Sequence, residues 1–230
     1  MKIFGFSETR SGFSFYSDMT YEQKREWKDS YMAGGGRQLM RTPSIASKWI
    51  PFEGGLTAPE GERATDERPD LLHFFPSPAL FAMDDAALAR TDNLWGLVEV
   101  LPLRCRDADV SAIHIPTQYD IVTEGSSFIS PRNMSGMDRF IVLDLDTSNI
   151  RPLDLFRIPE TPTVWCTEEF LVQLEAANVT GWRASQKCPP PAEHLQIEQD
   201  LIKKVEDGTA DTELNTVTIG DLSLRATATD

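Results

Sequence analysis

An α+β fold is predicted for this chain: a single domain with a mixed or mainly antiparallel sheet flanked by short helices. Three observations lead there. At 230 residues, with 40% hydrophobic and 25% charged, the chain has the size and make-up of one sizeable folded core or two small ones. Stretches of period-two alternation recur through its middle, in "GLVEVLPLRC", "DVSAIHIP" and "DRFIVLDLD". Helical stretches interrupt them without the regular alternation of a doubly wound parallel sheet. The expected organisation is an N-terminal segment over 1–48 with one surface helix, a core over 49–191, and a C-terminal helix and tail over 192–230 packed on or near that core.

The elements follow in order. In "MTYEQKREWKDSYMAGGG", Thr20 and Gln23 form a capping-box pair and Gly34 supplies a stop. Tyr21, Trp27 and Tyr31 are mixed with charge, which predicts a surface helix. From Gly34 to about Asp70 the text is irregular, with Gly54-Gly55, several prolines and "EGERATDERPD". It reads as a long loop or a mobile insertion. In "DLLHFFPSPALFAMDDAALARTDNLWG", Ser77-Pro78 is a helix start, and one or two short helices are expected up to about Asn93. The alternating stretches named above come next as strands, followed by "LDLFRI" and "TVWC".

The stretch "TVWCTEEFLVQLEAANVTGW", residues 163–182, carries the densest local signals. A β-type run from Thr163 to Cys166 leads into Thr167, whose hydroxyl can accept from the first free amides of a helix. Glu168 and Glu169 then meet the positive end of the helix dipole. Cys166 and Leu171 are placed for a hydrophobic staple. Phe170, Leu171, Leu174 and Ala177 form one apolar stripe at helical period. Asn178 can close the helix in a left-handed conformation, and "VTGWRA" reads as the next short strand. Beyond it, "CPPP" at 188–191 is a stiff linker. An amphipathic helix follows, with Leu195, Leu201, Ile202 and Val205 facing the protein and Gly208 as terminator. The tail reads as a weak hairpin.

Charge narrows the function classes. The net charge is −14, and it is unevenly spread. The first 60 residues hold 8 basic and 7 acidic side chains, the remaining 170 hold 14 and 29. An acidic body repels nucleic acid and anionic membranes, which need clustered Lys and Arg. The apolar start "MKIFGFSETRSGF" is broken at Ser7, Glu8 and Arg10, so no signal peptide is expected, and no stretch reaches the length of a membrane span. Cys105, Cys166 and Cys188 are odd in number and far apart, which suggests neither a disulfide framework nor a zinc site. A reduced, cytoplasmic protein is expected.

Candidate chemistry is sparse. Asp144 and Asp146 in "VLDLDTSN" stand two apart, so on a strand both carboxylates point the same way and could hold a divalent cation. The competing reading is a polar strand end running into a turn at Asn149. His114 alternates with Ile113 and Ile115, so it faces a polar side or packs under a neighbour. His73, before Phe74, Phe75 and Pro76, reads as a packed edge residue, and His194 completes the histidines. No nucleophile elbow accompanies them. "AGGGR", residues 33–37, follows a helix, whereas a phosphate cradle precedes one. Trp27, Trp49 and Trp95 suit cores and interfaces as well as ligand stacking. No catalytic, cofactor-binding or metal-binding residue is assigned.

The segment "PLDLFRIPETPTVWCTEEFLVQLEAANVTGW" resembles the C-terminal half of a bacterial immunity-protein family of polymorphic toxin systems, the one numbered eleven and formerly a domain of unknown function. The shared pattern is Leu155, Phe156 and Arg157, the helix from Thr167, then Thr180, Gly181 and Trp182. "LVEVLPLRC" is similar to that family's Glu-x-Leu-Pro strand at Glu99, Leu101 and Pro102, and "WIPFEGG" at Trp49 to its early Trp–Pro–Gly segment. The resemblance covers about residues 49–185. It implies a non-enzymatic cytoplasmic protein that binds and neutralises a cognate toxin, with a basic toxin suiting the acidic body, and with no cofactor, nucleic acid or membrane. The alternative from a different class is a divalent-metal-dependent transferase that uses the Asp144/Asp146 pair.

Overall fold

In the computed structural model of the chain, the residues described are 1–9, 13–23, 25–26, 44–58, 67–74, 80–94, 98–124, 126–131, 139–142, 144–158, 163–192, 196, 199–200, 203, 207 and 212–216. The strands in chain order are β1 (Ile3–Glu8), β2 (Ser14–Ser17), β3 (Glu53–Thr57), β4 (Leu71–Phe74), β5 (Leu80–Asp84), β6 (Glu99–Pro102) and β7 (Arg104–Cys105). They continue as β8 (Val110–His114), β9 (Ser127–Pro131), β10 (Arg139–Val142), β11 (Leu155–Arg157), β12 (Val164–Thr167), β13 (Trp182–Cys188) and β14 (Thr212–Thr216). Two short helices, α1 (Asp85–Arg90) and α2 (Glu168–Ala176), each follow a strand directly. The class is α+β, with mixed and antiparallel sheets and few short helices, as the sequence predicts.

The chain forms two compact units, one of Gly5–Tyr119 and Arg151–Ser185, the other of Met1–Phe4, Asp120–Ile150 and Gln186–Asp230. The first contains a mixed sheet in the order β6-β8-β5-β4-β2-β3-β7. Its pairs are antiparallel except β2 with β4 and β3 with β7. One face carries Phe15, Leu72, Phe74, Leu80, Ala82, Leu101 and Ala112, and Ile45 and Phe52 pack into the same core. Phe15 and Phe74 stack there at 5.3 Å between ring centroids. On another side Phe6 of β1 meets Phe81 of β5 edge-on at 5.7 Å and Phe170 of α2 at 5.8 Å. Aromatic pairs of this geometry add to the area they bury. A second sheet runs β11-β12-β1-β13, with β11 and β12 antiparallel.

The other unit contains an antiparallel sheet, β10-β9-β14. Beside it Val122 and Leu145 form an isolated bridge, flanked by amide bonds from Thr123 to the Asp144 carbonyl (3.0 Å) and from Asp146 to the Ile121 carbonyl (2.8 Å). Ile121, Val122, Leu145 and Ile150 are buried.

Local signals in α2 are obeyed in detail. The Thr167 hydroxyl accepts from the Phe170 amide at 3.3 Å. Phe170, Leu171 and Leu174 are buried, with Ala177 half-buried at the end of the stripe. Asn178 is left-handed at φ 52°. The Val179 amide donates to the Leu174 carbonyl at 3.0 Å and the Asn178 amide to that of Glu175 at 2.9 Å, the two bonds of a Schellman closure. Buried Val179 and Leu174 complete it. The early helix also starts as expected: residues 21–23 and 25–26 are helical, the Thr20 amide donates to Gln23 Oε1 (2.8 Å), and the Gln23 amide donates to Thr20 Oγ1 (3.3 Å). Trp27, Tyr31 and Gly34 lie outside the described residues.

Several expectations are corrected. The stretch from Gly34 to Asp70 is not all loop, because Glu53–Thr57 is β3, hydrogen-bonded between β2 and β7. Gly54 belongs in that strand because a Cβ there would stand 2.0 Å from the Tyr16 carbonyl oxygen. Leu80–Asp84 is a strand where a helix was expected, and α1 starts only at Asp85 with the Asp84 carboxylate accepting from the Ala86 amide at 2.9 Å. Leu80, Phe81, Ala82 and Met83 are all buried, and a strand covered on both faces loses its period-two signature. Ser77 and Pro78 lie outside the described residues. The N-terminal segment supplies β1 and β2 as well as its helix. Thr212–Thr216 of the tail pairs with β9, and residues 217–230, where the rest of the expected hairpin falls, lie outside the described residues. Helical positions at 192, 196, 199–200 and 203 fit the C-terminal helix, while Leu195, Leu201, Ile202 and Val205 fall outside the described residues.

Candidate functional site

The most organised group of polar side chains grows out of one cross-strand pair. In the register of β6 against β8, Glu99 stands opposite His114. Opposite residues of an antiparallel pair share a face, so both point to the side that carries Leu101 and Ala112. His114 is fully buried, and its Nδ1 lies 2.7 Å from Glu99 Oε2. After β8 the chain stays extended and meets the end of β11. The Arg157 amide donates to the Thr117 carbonyl at 2.9 Å, and the Tyr119 amide to the Arg157 carbonyl at 3.0 Å. That docking brings the Arg157 Nη2 to 2.9 Å from His114 Nε2.

Elementary donor counting assigns the protons. A guanidinium only donates, so His114 Nε2 accepts. The ring proton is then on Nδ1, donated to the Glu99 carboxylate, and the imidazole is neutral. Burial lowers Arg157 to about 10, against the upward pull of Glu99, so it stays cationic at neutral pH. The result is a carboxylate–imidazole–guanidinium brace. Both ring nitrogens are engaged and the ring has no exposed surface, so the imidazole ties strands together and offers no face to a substrate.

Glu99 has a second set of partners. Its carboxylate accepts from the Ser44 hydroxyl, from the Ile45 amide at 2.9 Å and from the Ala46 amide at 3.3 Å. Those amides open the 3-10 turn Ala46–Lys48, which has no side-chain cap of its own. Glu99 therefore caps that turn from 53 to 55 residues away. Burial raises its pKa, but the bonds from Ile45, Ser44, His114 and Ala46 outweigh burial and hold it below the ordinary value. At the far end of the same segment, Trp49 Nε1 donates to the Pro102 carbonyl at 2.9 Å, and the indole meets Phe52 edge-on at 4.8 Å.

Two further ties use buried or half-buried carboxylates. Asp154, fully buried, accepts from the Tyr119 hydroxyl at 2.5 Å and the Arg151 amide at 2.9 Å. Burial, followed by that carboxylate, pushes the Tyr119 phenol up. Asp70 accepts from the Thr180 amide at 2.8 Å, the Thr180 hydroxyl at 3.1 Å and Arg90 Nη2 at 3.1 Å. Beside it Gly181 adopts φ 88°, and a Cβ there would lie 2.4 Å from the Leu71 carbonyl oxygen. Only glycine fits that position without displacing backbone.

The residues singled out in the sequence are dispersed. Asp144 and Asp146 flank Leu145 and both are exposed. Asp144 Oδ2 accepts from the Thr123 hydroxyl at 2.5 Å, and Asp146 Oδ1 from the Ser148 amide at 3.0 Å. Ser148, through its hydroxyl and its amide, holds Asp146 below the ordinary carboxylate range. Asp146 is thus engaged in its own turn, and Asp144 across the Val122–Leu145 bridge. Among the described residues no group of three or more His, Cys, Asp or Glu is placed to hold a metal ion. His73 is not at an edge as expected: β4 lies between β5 and β2, and His73 Nδ1 is 2.9 Å from Glu8 Oε1. His194, Trp27, Trp95 and residues 33–37 lie outside the described residues. All three cysteines are free thiols.

The sequence alone does not join the members of the brace. A signal existed in "LFRI", where an arginine sits between Phe156 and Ile158 in a strand too short to have a polar face, and so requires a buried partner. No helix of the described residues is long and apolar enough to cross a membrane. No known protein-family model matches the chain, and a search of curated proteins finds no match either.

Proposed function

We propose that the protein is a non-enzymatic immunity protein that binds and neutralises a cognate polymorphic or secreted toxin in the cytoplasm of the bacterium that makes it. One observation supports this reading above others: the separate motifs that carry the resemblance interlock in space. Glu99 of the Glu-x-Leu-Pro strand and Arg157 of the Leu-Phe-Arg strand are the two ends of one brace, with His114 between them. Trp49 of the Trp–Pro–Gly segment bonds to Pro102 of the same Glu-x-Leu-Pro strand. Thr180 and Gly181 close against Asp70 and Leu71. These motifs, spread over more than a hundred residues, meet within one compact unit, and a scaffold whose central histidine is closed off from any substrate is suited to presenting a surface.

The decisive experiment is co-expression. If the protein encoded by a neighbouring reading frame abolishes growth, growth should be restored when the two are expressed together, and the two should co-purify. Absence of both protection and a complex would sink the reading. The acidic body suits a basic toxin, so association should be electrostatically steered. The on-rate should fall as salt shortens the Debye length from about 10 Å at 0.1 M to about 3 Å at 1 M, with the off-rate moving much less. An on-rate that ignores salt would remove the basic partner while leaving the immunity reading in place.

A further inference from the structure

We infer that the open face of β2 and β3 is the docking surface for the partner, which meets it with lysine or arginine side chains. The inference rests on the immunity reading and adds a place and a chemistry to it. In the register of the seven-stranded sheet, Phe81 of β5, His73 of β4, Ser14 of β2 and Thr57 of β3 stand side by side and share one face. β1 covers the start of that row. Phe6 lies on Phe81, and Glu8, the last residue of β1, reaches His73 Nδ1 at 2.9 Å. Past Glu8 the same face is open to solvent: the His73 side chain is 39% exposed, Ser14 and Tyr16 are half-buried, and Thr57 is exposed.

The side chains on this face are held in place beforehand. A Cβ on Gly55 would lie 2.5 Å from Asp107 Oδ2 and 2.9 Å from Arg106 Nη2, so the glycine makes room for both to lie across β3. Arg106 donates to the Asp18 carboxylate and to the Tyr16 hydroxyl, and its guanidinium carbon stands 5.3 Å from the centre of the Tyr16 ring. Asp107 accepts from the Leu56 amide at 2.7 Å. A tyrosine and an arginine fixed in this way lose little freedom when a partner packs on them, and interfaces concentrate their energy on such residues. Charge decides the sign of the partner. Arg106 is paired with Asp18, and Arg104 with Glu53 at 3.1 Å. Glu8 and Asp107 form no ion pair with arginine or lysine among the described residues. The face therefore carries an excess of carboxylate, which repels phosphate and favours a basic protein.

Peptide titration and variant kinetics test the surface. A tetralysine peptide, titrated into the wild type at low salt, should shift the NMR signals of the Ser14, Gly55 and Leu56 amides. The amides of Glu169 and Val172, on the exposed and equally acidic side of α2, should shift less. Thr57→Arg puts a bulky cation at an exposed position of the face. It should melt with the wild type and weaken binding to the growth-inhibiting protein of a neighbouring reading frame by about hundredfold or more. Glu8→Gln combined with Asp107→Asn keeps both acceptors and removes both charges, and should slow association by at least about tenfold. Glu169→Gln combined with Glu175→Gln removes as much charge from α2 and should slow it less. Peptide shifts centred on α2, wild-type affinity in Thr57→Arg, or equal slowing by the two double variants would each overturn the surface and leave the immunity reading standing. A wild type that neither protects nor binds would remove that reading, and this occupant with it.

Discussion

Helix α2 and the Glu99–His114–Arg157 brace lie in the same unit, yet they differ in how far along the chain their partners are found. In α2 the Thr167 hydroxyl serves an amide three residues on, and the closing bonds at Asn178 and Val179 reach back three and five. The brace ties residues 99, 114 and 157, and through Glu99 it takes hold of residues 44–46. α2 is mostly stabilised by apolar burial, with its polar ends exposed or capped. The brace is stabilised by the mutual satisfaction of groups that are each unfavourable to bury alone. A helix of this kind loses stability in increments when its parts are removed. A brace of this kind depends on every member at once.

Substitutions can break or sharpen that contrast, and the largest effect is expected at the centre of the brace. His114→Ala removes the link between a carboxylate and a buried guanidinium, and should cost about 3–5 kcal/mol, as for other buried polar pairs deprived of a partner. Urea denaturation measures it; a loss below 1 kcal/mol, on the order of a surface substitution, would mean that the brace is decoration. Leu174→Ala, at 1% exposure in the middle of the α2 stripe, should cost about 2–5 kcal/mol by the same assay. An unchanged melting temperature there would mean that the stripe does not meet the core. Thr167→Ala should cost about 1 kcal/mol, the usual loss for an N-cap, and should leave the stability of the brace untouched in a double-mutant cycle with His114→Ala.

The smallest effect is a difference of slopes. Because the folded-state pKa of Glu99 lies below its ordinary value of 4.5, its contribution is complete above that value and is lost as pH falls below it. Wild-type stability should therefore decline more steeply in acid than that of Glu99→Gln. Parallel curves from denaturation at a series of pH values would show that Glu99 does not couple protons to folding.

The same contrast explains what could be read in advance. The cap at Thr167, the left-handed close at Asn178 and the Thr20/Gln23 box are contained within a few residues, and each is found as expected. β5 reads as a helix because burial on both faces erases its alternation, and β3 reads as loop because Gly54 answers to the Tyr16 backbone and Gly55 to the Asp107 and Arg106 side chains, not to a turn. The brace depends on strand order, and the order β6-β8-β5-β4-β2-β3-β7 is not a property of any single stretch. Glu99 and Arg157 each belong to a pattern in the sequence, but nothing short of the fold joins them.

The place of β1 in its sheet has a consequence for how the protein is made. Both of its neighbours, β12 and β13, come more than 150 residues later in the chain. A ribosome adds roughly 5–20 residues per second, so β1 emerges on the order of ten seconds or more before either partner exists. During that interval an apolar strand with Phe4 and Phe6 waits with both edges open. Nascent chains should thus engage holding chaperones early, and a chain released before residue 163 should leave β1 with nowhere to go.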